Sequence, residues 1–171
     1  WVKIHSFGPG GYGNEFAFLI NKGNDLWWNP AFYLGYHKGS DSSLPRWPAK
    51  PGPYPAMFHV CNETDPQGSS GNPSGSGWLL SQTLLETNTW YHIAGTYDGS
   101  TVSIYVDGQL ENTTSYSGLL RSDLAPVHIG GGKLFGTDWG NQFTSDSAAD
   151  DVRIYNRALS AFEIAQLAGA S

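Results

Sequence analysis

The sequence is short of several things, and each shortage excludes a class of protein. Charge is scarce: of 171 residues only 14% are Asp, Glu, Lys or Arg, where an ordinary soluble domain carries about 25%. Basic residues are the scarcer sign, nine against fifteen acidic ones, for a formal net charge of −6. Nine scattered basic residues do not form the positive stripe that displaces counterions from a nucleic-acid duplex. Cysteine occurs once, at Cys61, so there is no internal disulfide framework and no cysteine-based zinc site. Its expected role is that of a small half-buried hydrophobe. No apolar run approaches the roughly 18 residues of a membrane-spanning helix. Residue 1 is Trp, with no charged segment or apolar signal core before it. Trp1 to Phe7 reads as a strand already under way, as in a processed product or a fragment.

Catalytic signatures are also missing. A glycosidase needs two carboxylates held either about 5 Å or about 6.5–9.5 Å apart across a sugar. Glutamates stand only at Glu15, Glu63, Glu86, Glu111 and Glu163. Glu63-Thr64-Asp65 is the nearest approach to a catalytic pair, and Pro66-Gln67-Gly68 after it marks a loop rather than a strand. His5, His37, His59, His92 and His128 are dispersed, without metal-binding spacing. There is no nucleophile elbow of a serine hydrolase. Gly8-Pro9-Gly10-Gly11-Tyr12-Gly13 lacks the lysine and the strand-to-helix setting of a phosphate loop, and reads as a turn.

What is abundant is aromatic side chains, 14% of the chain, with seven Trp, nine Tyr and eight Phe. Glycine (22) and proline (10) together make about 19%, below the roughly 25–30% of low-complexity disorder. Alternation of period two recurs, predicting strands at 1–7, 15–21, 31–37, 55–61, 77–80, 90–97, 101–107, 126–130 and 148–155. Asp98-Gly99 and Asp107-Gly108 supply the positive-φ positions of tight hairpins. Residues 90–107 and the strand after them therefore form a meander, with Val102, Ile104 and Val106 on one face. The stretch 38–54 carries four Pro and cannot be a central strand. Residues 62–77 are a polar Gly/Ser/Pro loop. The only helical pattern is at the end, where Ser160 and Glu163 have capping-box spacing and Gly169 can terminate the helix. The fold class expected is all-β: an antiparallel two-sheet β-sandwich (a jelly roll) with one short C-terminal helix.

Two sets of residues suggest binding. Trp27, Trp28, Trp47, Tyr54 and Trp139 stand outside regular strand patterning. A loop aromatic can stack on the apolar face of a sugar ring; the competing reading is that these side chains plug the ends of the sandwich. The acidic set is Asp25, Asp138, Asp146 and Asp150-Asp151, near strand ends. Calcium takes six to eight oxygens from such carboxylates and loop carbonyls, with Asp25 and Asp150 as the candidate ligands. Asp150 shares the parity of Val152 and Ile154, which predicts an inward side chain needing a cation or several donors. A salt bridge or backbone hydrogen bonds would serve equally. Asn62-Glu63-Thr64 and Asn112-Thr113-Thr114 have the pattern of glycosylation acceptors.

The second half carries a longer pattern. It consists of Trp90-Tyr91-His92-Ile93-Ala94-Gly95-Thr96-Tyr97-Asp98-Gly99, then Ile104-Tyr105-Val106-Asp107-Gly108. Val127-His128-Ile129-Gly130-Gly131 follows, and last comes Asp150-Asp151-Val152-Arg153-Ile154-Tyr155-Asn156-Arg157-Ala158-Leu159-Ser160. These blocks resemble the laminin-G-like, concanavalin A-like jelly-roll family from about 90 to 165. The resemblance implies one laminin-G-like domain over 1–171 that is usually non-catalytic. Such domains are commonly appended to secreted or surface proteins, where they bind glycans or mediate contacts. It implies one structural calcium ion, to which Asp150 would contribute. It also implies an N-terminal strand ahead of Trp1, pairing with the C-terminal one, which this sequence does not carry. The sheet edge beside 148–155 would then be open, or closed by another chain or a further segment. The function expected is a carbohydrate-binding, lectin-like module. The alternatives are a structural or protein-interaction domain, and a diverged β-sandwich glycoside hydrolase or lyase.

Overall fold

The computed structural model describes residues 1–7, 16–23, 30–37, 52–63, 77–122, 126–130 and 146–169. Among these are eleven strands: β1 (Val2–Ser6), β2 (Phe16–Gly23), β3 (Pro30–His37), β4 (Tyr54–Val60), β5 (Gly77–Leu85), β6 (Trp90–Tyr91), β7 (Ile93–Tyr97), β8 (Thr101–Val106), β9 (Gln109–Ser115), β10 (Val127–Ile129) and β11 (Asp146–Ala149). The one described helix is α1 (Ala161–Leu167). One layer is a five-stranded antiparallel sheet ordered β10-β2-β3-β4-β5. The other consists of two three-stranded pieces, β11-β1-β6 and β7-β8-β9. His92 alone separates β6 from β7, so the pieces share one polypeptide segment. This is the jelly-roll sandwich expected from the alternation pattern.

The core lies between the layers. Leu19, Tyr36, Ala56, Phe58 and Val60 of the five-stranded sheet meet Val2, Ile4, Val102, Ile104 and Val106 of the other, all buried. The meander forms as its turns predict: Asp107 and Gly108 both adopt positive φ (49° and 81°), the mirror-image turn that matches strand twist. Ser103 and Tyr105, on the face opposite Val102 and Ile104, are buried as well. This sheet is covered on both faces here, rather than on the single face the sequence suggested. Cys61 is fully rather than half buried.

Glu111 of β9 joins the two layers at one side. Its carboxylate accepts from the Gln82 and Thr83 amides at 2.9 Å and from the Thr83 hydroxyl at 2.7 Å. These bonds hold the carboxyl below its usual range against the opposing effect of burial, which is the largest single influence.

The helix forms as its spacing requires. Ser160 accepts from the Glu163 amide while the Glu163 carboxylate accepts from Ser160, a complete capping box that satisfies orphan donors of the first turn. Arg157, then the Ser160 donors, hold Glu163 down at about 2. Gly169 follows with φ +69°, the left-handed position that ends a helix. The helix packs on β9, an edge strand of the β7-β8-β9 piece, with Ile164 buried.

One strand prediction fails. The C-terminal strand expected at 148–155 is formed only over Asp146–Ala149; Asp150 makes a last pair of main-chain bonds with Trp1, and 151–155 leaves the sheet. Asp151 adopts a left-handed φ of 51°, which breaks the two-residue alternation. Asp150 is consequently exposed and not inward, and Val152 and Ile154 are 43% and 57% exposed.

Candidate functional site

The break at His92 lies over a cavity. About 550 Å³ opens between the layers, lined by Phe58 and Leu34 of the five-stranded sheet, by residues 92–97, and by Val152 and Ile154 of the tail. Its floor is Gly95, where a Cβ would sit only 2.4 Å from the Phe58 ring. Glycine in a strand often marks such close approach. This is the signal in the sequence that could have located the cavity. Its mouth is polar. The Trp1 ammonium donates to the Asp150 carbonyl at 2.8 Å, and burial, partly offset by Asp151 and Asp150, lowers its pKa. The Trp1 and His92 rings meet edge-on at 5.5 Å. Burial, then the nearby ammonium, lowers the His92 pKa and favours a neutral ring. Asp151 and Arg153 pair at 2.7 Å, each about half exposed, so the pair contributes little to stability.

The sequence-predicted binding residues are distributed unevenly. Trp27, Trp28, Trp47, Trp139 and Asp25 lie outside the described residues. Tyr54 is described and is part of the core at 5% exposure. Its ring lies parallel to Tyr36 at 6.4 Å and meets Phe7 edge-on at 4.7 Å. Tyr54 opens β4 rather than standing in a loop, because Phe7 after β1 packs over it.

The metal reading meets a similar limit. The Asp150 carboxylate accepts from the Asp151 amide at 2.8 Å, and Asp151 is engaged by Arg153. Among the described residues no three His, Cys, Asp or Glu side chains converge. The described residues alone therefore do not fit calcium's need for six to eight oxygens. Asp146 accepts from the Ser6 hydroxyl at 2.7 Å and serves to close the β1–β11 pair.

The two glycosylation motifs differ in exposure, Asn62 being buried and Asn112 exposed on β9. Asn62 is buried, with its amide donating to the Ser117 carbonyl at 2.7 Å. Asn112 donates to the Leu80 carbonyl at 3.1 Å. Tyr33 and His59 bring their rings within 4.8 Å. Both are buried, in β3 and β4.

The strand ends organise the segments that carry the candidate tryptophans. Phe16 of β2 pairs with His37 of β3, and the Phe7 ring meets Tyr36 and Tyr54 at this same end. β10 runs toward this end against β2, and Asp146 pairs with Ser6 here. The described residues that flank 38–51 and 131–145 in the sequence thus stand at one end of the sandwich. Gly23 and Pro30, which flank 24–29, pair at the opposite end.

The comparisons agree with this architecture. Residues 56–165, more than half of the chain, match the Laminin_G_3 family, described as the concanavalin A-like lectin/glucanases superfamily. The chain belongs to that family. Among solved structures it is similar to the heptameric SAP-like pentraxin of Limulus polyphemus, with a TM-score of 0.62 at 16% identity, covering 98% of this chain. The chain spans 66% of the length of that pentraxin chain. A second similarity, to residues 221–444 of an S-layer domain-containing protein of Clostridium thermocellum, has a TM-score of 0.41 at 21% identity. It covers 98% of this chain and 66% of that one. No curated protein matches in sequence. The pentraxin likeness is one of fold, in accord with the two-layer sandwich.

Proposed function

We propose that the chain is a non-catalytic, glycan-binding module of a larger secreted or surface protein. The observation that carries this reading is a lectin-like sandwich in a sequence with several tryptophans outside strand patterning. Trp47 and Trp139, whose flanking described residues stand at one end, are the proposed stacking residues, and Trp27 and Trp28 are the other candidates. Aromatic faces suit this task because they bury a large area and lose little conformational freedom on binding. The low charge of the chain fits a neutral polysaccharide. No described helix is long and apolar enough to cross a membrane.

A single calcium ion held by Asp150 and Asp25 is the proposed structural cofactor; its oxygens would have to come largely from outside the described residues. If it binds, calcium raises Tm relative to chelator and Asp150→Asn removes that rise. The binding reading itself is tested by tryptophan fluorescence titration against a panel of neutral and acidic oligosaccharides. Saturable quenching is expected, lost in Trp47→Ala and Trp139→Ala and kept in Trp27→Ala. Quenching that survives both of the first two substitutions would move the site. No quenching by any glycan, with or without calcium, favours the structural or protein-interaction alternative.

A further inference from the structure

Asn62 and Asn112 each open an Asn-x-Thr motif, the pattern that receives N-linked glycans, and the fold treats the two side chains oppositely. Asn62, 4% exposed, ties the end of β4 to the segment after β9. Its main-chain amide donates to the Tyr116 hydroxyl at 3.0 Å, its side-chain amide donates to the Ser117 carbonyl at 2.7 Å, and its backbone bridges to Leu120. The space beside that nitrogen is taken. A Cβ added at Gly118 would stand 2.9 Å from Asn62 Nδ2, inside the about 3.5–4.0 Å that non-bonded carbon atoms prefer. A sugar ring is far larger than a methyl group, so a chain modified at Asn62 cannot complete this part of the sandwich.

Asn112 is exposed on β9, the last strand of its piece, and no described strand pairs with its other edge. Ile104 stands opposite Asn112 and Tyr105 opposite Leu110, which leaves Glu111 as the extra residue of a β-bulge. Bulges re-aim side chains at sheet edges, and here both neighbours reach β5 of the other layer. Glu111 accepts from the Gln82 and Thr83 amides, and Asn112 Nδ2 donates to the Leu80 carbonyl at 3.1 Å. The Asn112 oxygen accepts from the Thr113 amide at 2.8 Å. A primary amide carries two N–H donors. Glycosylation consumes one hydrogen and leaves the other for Leu80, so the modified residue keeps every bond that holds it.

The flank beside Asn112 also has something for a glycan to cover. Leu80 and Leu84 of β5 are 36% and 49% exposed, and Leu110 of β9 is 53% exposed. They stand on the two strands that the Asn112–Leu80 bond joins. An unpaired edge with apolar neighbours invites pairing with another chain, and a bulky, hydrated saccharide opposes it.

We propose that Asn112 is an N-glycosylation site whose saccharide shields the β5–β9 flank, and that Asn62 stays unmodified in the folded chain. The donor is a lipid-linked oligosaccharide pyrophosphate. A bond forms between Asn112 Nδ2 and the anomeric carbon as the bond from that carbon to the pyrophosphate oxygen breaks. The lipid pyrophosphate leaves, and the amide gives up one proton to a base of the transferase. The motif alone does not separate the two acceptors; the packing around each nitrogen does. The assignment is independent of whether the chain itself binds glycans.

The test directs the 171-residue chain through the secretory pathway of a eukaryotic cell and collects the cooperatively folding fraction. Digestion with the amidase that releases N-glycans converts each occupied asparagine to aspartate, which peptide mass spectrometry reads. Position 112 should be converted in most of the folded chain and position 62 should not. Thr114→Ala should abolish the glycan, Thr114→Ser should keep it, and Thr64→Ala should leave it unchanged. Releasing the glycan from the folded wild-type chain should speed aggregation on warming, followed by light scattering. That comparison needs no variant, so it stands even if Thr114→Ala fails to fold. A folded chain bare at Asn112, or one occupied at Asn62, overturns the assignment. Equal aggregation with and without the glycan overturns its shielding role.

Discussion

Replacing Gly95 by Ala probes the contact on which the floor of the cavity rests. A Cβ there would lie 2.4 Å from Cδ2 and Cγ of Phe58 and 2.6 Å from Cδ1, where carbon atoms prefer about 3.5–4.0 Å. The Phe58 ring, 6% exposed, must move by more than about 1 Å to clear it, given that preferred spacing. Overpacking of this kind costs about 1–3 kcal/mol. Gly95 does not adopt positive φ, so alanine can take its backbone conformation and regains about 0.4–1 kcal/mol through the unfolded chain. The net expectation is a loss of about 1–2 kcal/mol in urea unfolding followed by tryptophan fluorescence. Phe58→Ala alone should cost about 3–5 kcal/mol. In the double variant the new methyl occupies space the ring has left. Its cost should fall short of the sum of the two by about 1 kcal/mol or more, since residues in contact are not additive. A Gly95→Ala cost below about 0.5 kcal/mol, or additivity within that margin, would refute this packing.

Two further outcomes follow from local chemistry. Ser160→Ala should destabilise by about 1 kcal/mol through loss of the cap, with Ser160→Asn recovering most of it, measured by the urea midpoint. Burial holds His37 down at about 4, below the usual imidazole value, so the fold accommodates the neutral ring. Stability should be flat above about pH 6.5, fall as the pH drops toward 4, and level off below that. The total loss is up to about 3 kcal/mol, and His37→Phe should remove that part of the pH dependence.

The parts of the fold visible in the sequence were those with local causes. Asp-Gly turns, period-two alternation in Val102, Ile104 and Val106, and the Ser160–Glu163 spacing each determine their element through nearby residues. The C-terminal strand is shorter than its pattern suggests because its alternation continues through Tyr155 while its pairing ends with Asp150 against Trp1. Pairing depends on a neighbouring strand that no local pattern reports. Asp150 was assigned an inward side chain by the same parity, and the left-handed turn at Asp151 undoes it. Tyr54 read as a loop aromatic because four prolines precede it. Its burial comes from Phe7 and Tyr36, far away in sequence. The resemblance implied an open sheet edge beside 148–155, but the cavity between the layers arises from the register of β1 against β6 and β11, which no local pattern reports. Gly95 was its sole local trace.

The central claim, a glycan-binding module without catalysis, is met most directly by a glycan microarray probed with the labelled chain. Trp47→Ala and Trp139→Ala should be run beside it under the same conditions. The account predicts retention on a restricted set of neutral glycans, weakened at least tenfold by either substitution, with the bound sugars chemically unchanged. A chain that binds no glycan, or that cleaves the glycans it contacts, would contradict it.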